Sequence, residues 1–188
     1  MPDNMTFEKL SLFGVGNMGR EYTKILRHLE VEFSVVGRSE TGVQKFFFDT
    51  GIRAVSGGIA GWKKNRDTST ESAIVAVNLE SLSQTAIDLM ECGVRKILLE
   101  KPGGINLEEI KKVKEKADST GTKVWIAYNR RFYSSVLKAQ EIIIADGGVK
   151  SFHFEFTEWP HIILNTVKSE VARKNWFLAN SSHVLDMA

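Results

Sequence analysis

Residues 1–128 alternate between short runs of β-branched and apolar residues and longer amphipathic stretches. The short runs, which we predict to be strands, are Lys9–Phe13, Glu32–Val36, Ile52–Val55, Ser72–Val77, Arg95–Leu99 and Lys123–Tyr128. Two of them, Ser72–Val77 and Lys123–Tyr128, are apolar after their first residue, as is typical of strands buried on both faces of a parallel sheet. Repeated strand-helix-strand units predict right-handed crossovers with helices on both faces of the sheet. We therefore predict the α/β class, with a doubly wound parallel sheet.

The stretch between the fifth and sixth predicted strands has a clear helical pattern. Its apolar residues recur at spacings of three and four, at Leu107, Ile110, Val113 and Ala117. Charged residues occupy the positions between them, which is typical of an amphipathic surface helix. Asn106 stands where an N-cap residue is expected.

The pattern changes after Tyr128. A predicted helix over about 132–145 ends at the turn-forming residues 146–148, and the segment Val149–Thr157 then alternates phenylalanines with polar residues. This period of two predicts a strand with one face on a core. We therefore predict a first domain over 1–128 and, over 129–188, the beginning of an α+β domain with an antiparallel sheet. Because only Glu158–Ala188 follow this strand, we expect that second domain to be incomplete in the chain.

The composition excludes several kinds of partner. The chain has 188 residues, 43% of them hydrophobic, and a net charge of +2. Its cations are scattered among acids, so we predict no nucleic-acid partner. Its longest apolar run, Ala73–Val77, is far shorter than the roughly 20 residues that cross a membrane, so we predict no membrane partner.

The single cysteine, Cys92, cannot form an intrachain disulfide or a cysteine cluster around a metal. A reducing compartment fits such cysteine usage best. The polar N-terminal residues lack the pattern of a secretory signal. We therefore predict a cytoplasmic protein and no metal site.

A glycine-rich turn, Gly14-Val15-Gly16-Asn17-Met18-Gly19, directly follows the first predicted strand and opens a predicted helix. In a dinucleotide-binding turn the first glycine allows the bend, the second admits the pyrophosphate, and the third lets the helix pack against the strand. The phosphates then lie at the positive end of the helix. We therefore assign Gly14, Gly16, Asn17, Met18 and Gly19 to a cofactor site. The alternative is an ordinary tight turn between a strand and a helix.

The end of the second predicted strand indicates which dinucleotide is preferred. A carboxylate at this position would bind the adenosine ribose and repel a 2′-phosphate, but the sequence reads Gly37-Arg38-Ser39. Arg38 can bind a phosphate with its guanidinium, and Ser39 adds a hydroxyl group. We therefore predict that NADP(H) is preferred and that NAD(H) is possible, because Glu40 is a nearby carboxylate.

The motif Glu100-Lys101-Pro102-Gly103-Gly104 follows the fifth predicted strand, at the edge where open α/β sheets bind ligands. With the glycine turn and residues 128–132, it resembles the glucose-fructose oxidoreductase / inositol dehydrogenase / rhizopine-catabolism family, written Gfo/Idh/MocA. The resemblance covers essentially the whole chain. It implies that Lys101 binds substrate and assists proton transfer, that Glu100 lies by the nicotinamide riboside, and that the Lys101-Pro102 bond is cis. We also assign Asn78, after the fourth predicted strand, to the cofactor site.

Residues His183 and Asp186 form a His-x-x-Asp pair, which shares one face of a helix. The pair resembles the catalytic helix of the same family, which implies that His183 is an acid/base and that Asp186 contacts substrate. We assign Trp176 to the substrate site as well. The family often carries an aspartate four residues before the histidine, whereas this chain has Ala179. The alternative for His183 is a helix position without a catalytic role.

These residues predict an NAD(P)-dependent oxidoreductase that transfers hydride between the nicotinamide and a hydroxyl or keto carbon of a sugar-like substrate. The resemblance implies the substrate class and a homo-oligomer for a full-length form. The alternative is a non-catalytic dinucleotide-binding module, such as a sensor or a partner subunit, which Ala179 favours.

Overall fold

The computed structural model describes residues 10–65, 71–166 and 169–187. Its internal contacts divide the chain into two units, one up to Ile126 and one from Ala127 onward. The first unit contains a six-stranded parallel sheet with its connecting helices. The second unit contains helical segments and irregular chain.

The sheet of the first unit has the order β3-β2-β1-β4-β5-β6, with every neighbouring pair parallel. Its strands are β1 Leu10–Phe13, β2 Phe33–Val36, β3 Ala54–Val55, β4 Ser72–Val75, β5 Lys96–Leu99 and β6 Lys123–Ile126. This is the strand order of a Rossmann fold, in which the direction of winding reverses between β1 and β4. The predicted α/β class and parallel sheet are confirmed. The six strands lie where the sequence predicts them, although Lys9 falls outside the described residues.

The helices of the first unit are α1 Asn17–His28, α2 Glu40–Thr50, α3 Gly58–Asn65, α4 Leu82–Glu91 and α5 Leu107–Thr120. The predicted cap of α5 is present, because the Asn106 side chain accepts a hydrogen bond of 2.9 Å from the Glu109 amide. The helix ends at Gly121, which has a positive φ of 67°. The Asn106 cap fixes the end of the loop that precedes α5.

Two apolar clusters lie within the first unit, and consecutive strand residues divide between them. Leu12, Val35 and Ile74 belong to one cluster. Their neighbours Phe13, Val36 and Val75 belong to the other, which also contains the Trp62 side chain. Because alternate strand residues point to opposite faces, both faces of the sheet are buried.

The second unit contains α6 Ser134–Ala145, α7 Pro160–Thr166, α8 Glu170–Lys174 and α9 Ser182–Met187, with a π-helical segment, Phe177–Ser181, directly before α9. The strand predicted over Val149–Thr157 is not formed, because the segment is irregular. A strand requires a partner that satisfies its backbone hydrogen bonds, and the described residues from Ala127 onward contain no other strand. The predicted antiparallel sheet is therefore not shown.

Among the described residues, no helix is both long and apolar enough to cross a membrane.

Candidate functional site

The first glycine of the turn is required by the fold itself. Gly14 has a φ of +129°, and its amide donates a hydrogen bond of 2.9 Å to the Val36 carbonyl. A Cβ atom at Gly14 would overlap the carbonyl oxygen of Ala76. Glycine is therefore needed here both for the backbone conformation and for the close approach of β4.

The third glycine is required by helix packing. A Cβ atom at Gly19 would overlap the carbonyl oxygen of Gly14, so α1 could not lie this close to the turn. The Gly19 carbonyl also accepts a hydrogen bond of 2.8 Å from the Thr23 hydroxyl. Gly14 and Gly19 thus make one contact that fixes the start of α1 against the end of β1.

The second glycine is not required by packing within the described chain. Gly16 is the N-cap of α1, and a Cβ atom there would meet nothing within 4 Å. The cap lacks a side-chain hydrogen bond, and the first turn of α1 carries no acidic residue. Space and amide groups are therefore available for an anion at the positive end of this helix. A dinucleotide pyrophosphate fits this arrangement.

Asn17 and Met18 occupy the first turn of α1 on the exposed side. The Asn17 side-chain oxygen accepts a hydrogen bond of 3.3 Å from Arg20, and Met18 is 43% exposed. Their backbone amides precede the first bond within the helix, which Arg20 donates to the Gly16 carbonyl. Gly16, Asn17 and Met18 are all exposed, so this turn lies at the surface.

The end of β2 places Arg38 and Ser39 beside α2. The Ser39 hydroxyl oxygen accepts a hydrogen bond of 3.2 Å from the Gly42 amide and so caps α2, whereas the Arg38 side chain is exposed. A Cβ atom at Gly37 would lie 2.5 Å from the Val43 side chain. Gly37 is thus a further glycine that shapes this corner, which motif reasoning missed because it lies outside the glycine turn.

Asn78 follows β4 and is exposed. Its side-chain amide donates a hydrogen bond of 2.8 Å to Glu80, which orients it at the start of a short 3₁₀ turn, Leu79–Ser81. The carboxyl ends of β1, β2, β4 and β5 are aligned in register. The glycine turn, Arg38, Asn78 and Lys101 therefore follow strands that end at the same edge of the sheet.

Glu100 is a buried carboxylate at the end of β5, with 8% of its surface exposed. The Tyr22 hydroxyl on α1 donates a hydrogen bond of 2.7 Å to Glu100 Oε1. Burial raises the pKa of the Glu100 carboxyl, and the Tyr22 hydrogen bond and the positive charge of Lys101 offset part of this effect. Burial, followed by the Glu100 charge, raises the pKa of Tyr22, so its hydroxyl remains a donor.

The loop that carries Lys101 is held by hydrogen bonds. The Lys101-Pro102 peptide bond is cis, as the resemblance implies. The Gly103 amide donates to the Glu100 carbonyl at 3.0 Å. Farther along, Glu109 Oε2 accepts hydrogen bonds from the Ser83 hydroxyl at 2.8 Å and the Ile105 amide at 3.0 Å. The half-buried Lys101 side chain thus starts from a fixed backbone.

In the second unit, His183 and Asp186 lie on α9. The Arg131 guanidinium makes two hydrogen bonds to the Asp186 carboxylate, one of them 3.0 Å from Nε to Oδ2. The Asp186 side chain is only 10% exposed, and its carboxylate raises the pKa of Arg131. The His183 ring packs edge-on against Tyr128, with centroids 5.7 Å apart. The predicted pair is thus part of a four-residue cluster.

Trp176 lines an open cleft of about 480 Å³ on the second unit, together with Phe156, Glu158, Trp159, Ile163 and Asn180. Its indole N–H donates a hydrogen bond of 2.9 Å to Glu158 Oε1, and the Ser181 hydroxyl donates to the same oxygen. Sequence reasoning missed Glu158 and Tyr22, because each acts through a partner far away along the chain. A periodic pattern carries no information about such pairs.

Among the described residues, no group of three or more His, Cys, Asp or Glu side chains could hold a metal ion.

Comparison with known proteins gives one family and many similar structures. The family model for Gfo/Idh/MocA, an oxidoreductase family with an NAD-binding Rossmann fold, matches residues 9–128. No curated protein matches the chain.

Three of the similar structures are dehydrogenases of low sequence identity. The first is WlbA dehydrogenase from Bordetella pertussis in complex with NADH and UDP-GlcNAcA, with 14% identity, a TM-score of 0.76 and coverage of 96% of this chain and 57% of that one. The second is myo-inositol 2-dehydrogenase from Lactobacillus plantarum, with 14% identity, a TM-score of 0.64 and coverage of 74% and 41%. The third is UDP-N-acetylglucosamine 3-dehydrogenase GnnA from Acidithiobacillus ferrooxidans, with 16% identity, a TM-score of 0.59 and coverage of 72% and 43%. The chain thus has their fold and spans about half the length of these proteins or less.

Proposed function

This chain belongs to the Gfo/Idh/MocA family of oxidoreductases with an NAD-binding Rossmann fold, and we propose that it transfers hydride between a nicotinamide dinucleotide and a hydroxyl or keto carbon of a sugar-like substrate. The observation that carries the proposal is the contrast among the three glycines. Gly14 and Gly19 are required by the fold, whereas Gly16 faces open space at an uncapped helix start. A bound pyrophosphate gives that position a reason to be glycine.

The residues that hold the cofactor lie along one edge of the sheet. In the proposal, the backbone amides of the turn bind the pyrophosphate, Arg38 and Ser39 bind the adenosine end, and Asn78 and Glu100 lie beside the nicotinamide riboside. The bound nicotinamide supplies the hydride acceptor or donor. The protein supplies position and charge.

In the proposal, two side chains take part in the proton transfer. Lys101 donates a hydrogen bond or a proton to the substrate oxygen that gains charge during the reaction, and His183 acts as acid or base toward the substrate hydroxyl. The fixed loop around Lys101 supports its role, because a positioned donor does not have to be reorganised during the reaction. Asp186 and Trp176 contact the substrate. The Arg131 guanidinium holds Asp186 in one orientation.

We infer a preference for NADP(H) over NAD(H) from Arg38. Its side chain is exposed at the start of α2, and the hydroxyl oxygen of the neighbouring Ser39 already caps that helix. Arg38→Ala should weaken NADPH binding by roughly 10-fold and leave NADH binding within about twofold, since a guanidinium-phosphate contact exists only with the former. Equal losses for both dinucleotides in calorimetric titrations would contradict the preference.

Turnover distinguishes the enzyme from a binding module. We expect Lys101→Ala to lower kcat/KM by about 100-fold or more and to retain dinucleotide binding, because general acid-base groups contribute about that much. Lys111→Ala removes an exposed lysine of α5 and serves as the control. Tight dinucleotide binding with no turnover on any sugar or polyol would favour the non-catalytic module.

A further inference from the structure

The cleft on the second unit combines aromatic surfaces with one carboxylate. Phe156, Trp159 and Trp176 contribute the aromatic side chains, and Glu158 contributes the carboxylate. The Trp159 side chain is 65% exposed and stacks on His161. The volume of the cleft, about 480 Å³, lies in the range of small-molecule sites.

Glu158 is held in the cleft by two donors that bind the same oxygen. The Trp176 indole and the Ser181 hydroxyl both donate to Oε1, from 18 and 23 residues away. Within the described part of the chain, no hydrogen bond reaches Oε2. Since a carboxylate has about four acceptor positions, an oriented acceptor remains for a ligand that brings hydroxyl or ammonium donors.

The chemistry of such a ligand follows from these groups. A ring with C–H faces can pack on the exposed Trp159 side chain, and its hydroxyl groups can donate to Oε2 of Glu158. Hydrogen bonds to an ionised acceptor are stronger than those between neutral groups. A carboxylate on the ring would instead face the like charge of Glu158, and such a juxtaposition of like charges is unfavourable.

We propose that Glu158 selects the substrate by its charge. The cleft accepts a neutral or cationic polyhydroxylated ring and disfavours a ring that carries a carboxylate. This inference rests on the proposed function, because it defines the substrate class of the same reaction. Asn180, an exposed residue that also lines the cleft, is a neutral partner for ring hydroxyls. Glu158 is thus a specificity-determining residue, and its role does not require a proton transfer.

The test compares rings of one configuration that carry no charged group, an ammonium group at C2 or a carboxylate at C6. Glucose, glucosamine and glucuronate, and the matching galactose series, are titrated against the NAD⁺-bound chain and the NADP⁺-bound chain, with tryptophan fluorescence and steady-state turnover as readouts. We expect the neutral and ammonium sugars of at least one series to bind roughly 10-fold tighter than the uronate. The ratio of the uronate Kd to the Kd of the neutral sugar should fall as ionic strength rises, because salt screens the repulsion between charges.

Glu158→Gln keeps the size of the side chain and removes the charge. We expect it to raise KM for the neutral sugar by about 10-fold and to change kcat little. The Kd values of the neutral sugar and the uronate should then agree within about threefold. Glu155→Gln removes the same charge from an exposed residue that does not line the cleft, and should leave the ratio unchanged. Circular dichroism establishes that each variant is folded.

A second variant keeps the Glu158 anchor intact. Asn180→Asp adds a negative charge to the cleft and should lower uronate binding further while neutral sugars bind within about threefold of the unaltered chain. The proposal is overturned if the uronate binds as well as its neutral counterpart, if neither variant changes the ratio, or if no sugar of either series produces a response while the dinucleotide binds. Failure of the dinucleotide itself to bind would instead overturn the proposed function.

Discussion

The two units bury their apolar residues to different extents. In the first unit the core includes fully buried side chains such as Phe46, Leu89 and Ile97. In the described part of the chain from Ala127 onward, no apolar side chain is buried, and residues such as Phe132, Ile144 and Phe152 are more than 60% exposed. The first unit is therefore stabilised by apolar area removed from water, whereas the second unit has little such stabilisation.

Truncation of one phenylalanine in each unit tests this contrast most strongly. Phe46→Ala should lower the free energy of unfolding by about 3–5 kcal/mol, since it empties a fully buried position on α2. Phe152→Ala should change it by less than about 0.5 kcal/mol, since that side chain is 64% exposed. Urea denaturation followed by circular dichroism measures both. A loss of several kcal/mol for Phe152→Ala would show that the second unit has an apolar core in solution.

Two glycines of the same turn separate folding from binding within the first unit. Gly19→Ala should destabilise the chain by about 1–3 kcal/mol, because its Cβ atom would overlap the Gly14 carbonyl. Gly16→Ala should leave the melting temperature within about 2 °C, because its Cβ atom meets nothing and its φ of −78° suits alanine.

Gly16→Ala should nevertheless weaken dinucleotide binding by about 10-fold or more, since its methyl group would occupy the space of the pyrophosphate. Thermal melts are therefore expected to show a large loss of stability only for Gly19→Ala, and calorimetric titrations a loss of affinity in Gly16→Ala at nearly unchanged stability. Unchanged dinucleotide affinity in Gly16→Ala would contradict the placement of the pyrophosphate.

The same contrast explains how far the sequence predicts the molecule. Strands β1 to β6 were predictable because each has a strand to pair with in the same unit. The apolar pattern and the available backbone hydrogen bonds therefore favour the same structure. The segment Val149–Thr157 has an equally regular pattern, yet it forms no strand, because a pattern of period two specifies faces and not a partner. The glycine turn and the Asn106 cap are local and were predictable. The pairs Tyr22–Glu100 and Trp176–Glu158 join distant residues and were not.

An ion pair offers a test of the polar contacts in the second unit. Arg131→Met should leave the nearly buried Asp186 carboxylate without its guanidinium and should speed amide hydrogen exchange in α9 several-fold. Lys138→Met removes a lysine whose pairing with Glu141 is exposed on both sides, and should change exchange little. Equal protection of α9 in both variants would show that the pair does not hold the helix.

The smallest expected effect concerns Glu100. Among the described residues of the first unit, it is the one buried carboxylate. Burial raises its pKa in the folded chain, so the folded state binds the proton more tightly than the unfolded state. Its contribution to stability is complete below the unfolded pKa and is lost as the pH rises through the folded pKa. Glu100→Gln, which stays neutral, should therefore gain stability relative to the unaltered chain as the pH rises from about 4 to about 7.

The exposed Glu108 gives a control of opposite sign in the same unit. Its hydrogen bond to Lys112 lowers the pKa of its carboxyl, so its contribution is present above the unfolded pKa and is lost as the pH falls. Glu108→Gln should therefore lose stability relative to the unaltered chain over the same rise in pH. Urea denaturation at several pH values gives both slopes, and parallel slopes would contradict the burial of Glu100. A gain in stability for Glu100→Gln together with a loss of turnover would indicate that this carboxylate serves the reaction at a cost in stability. It would then be an exception within the better packed of the two units.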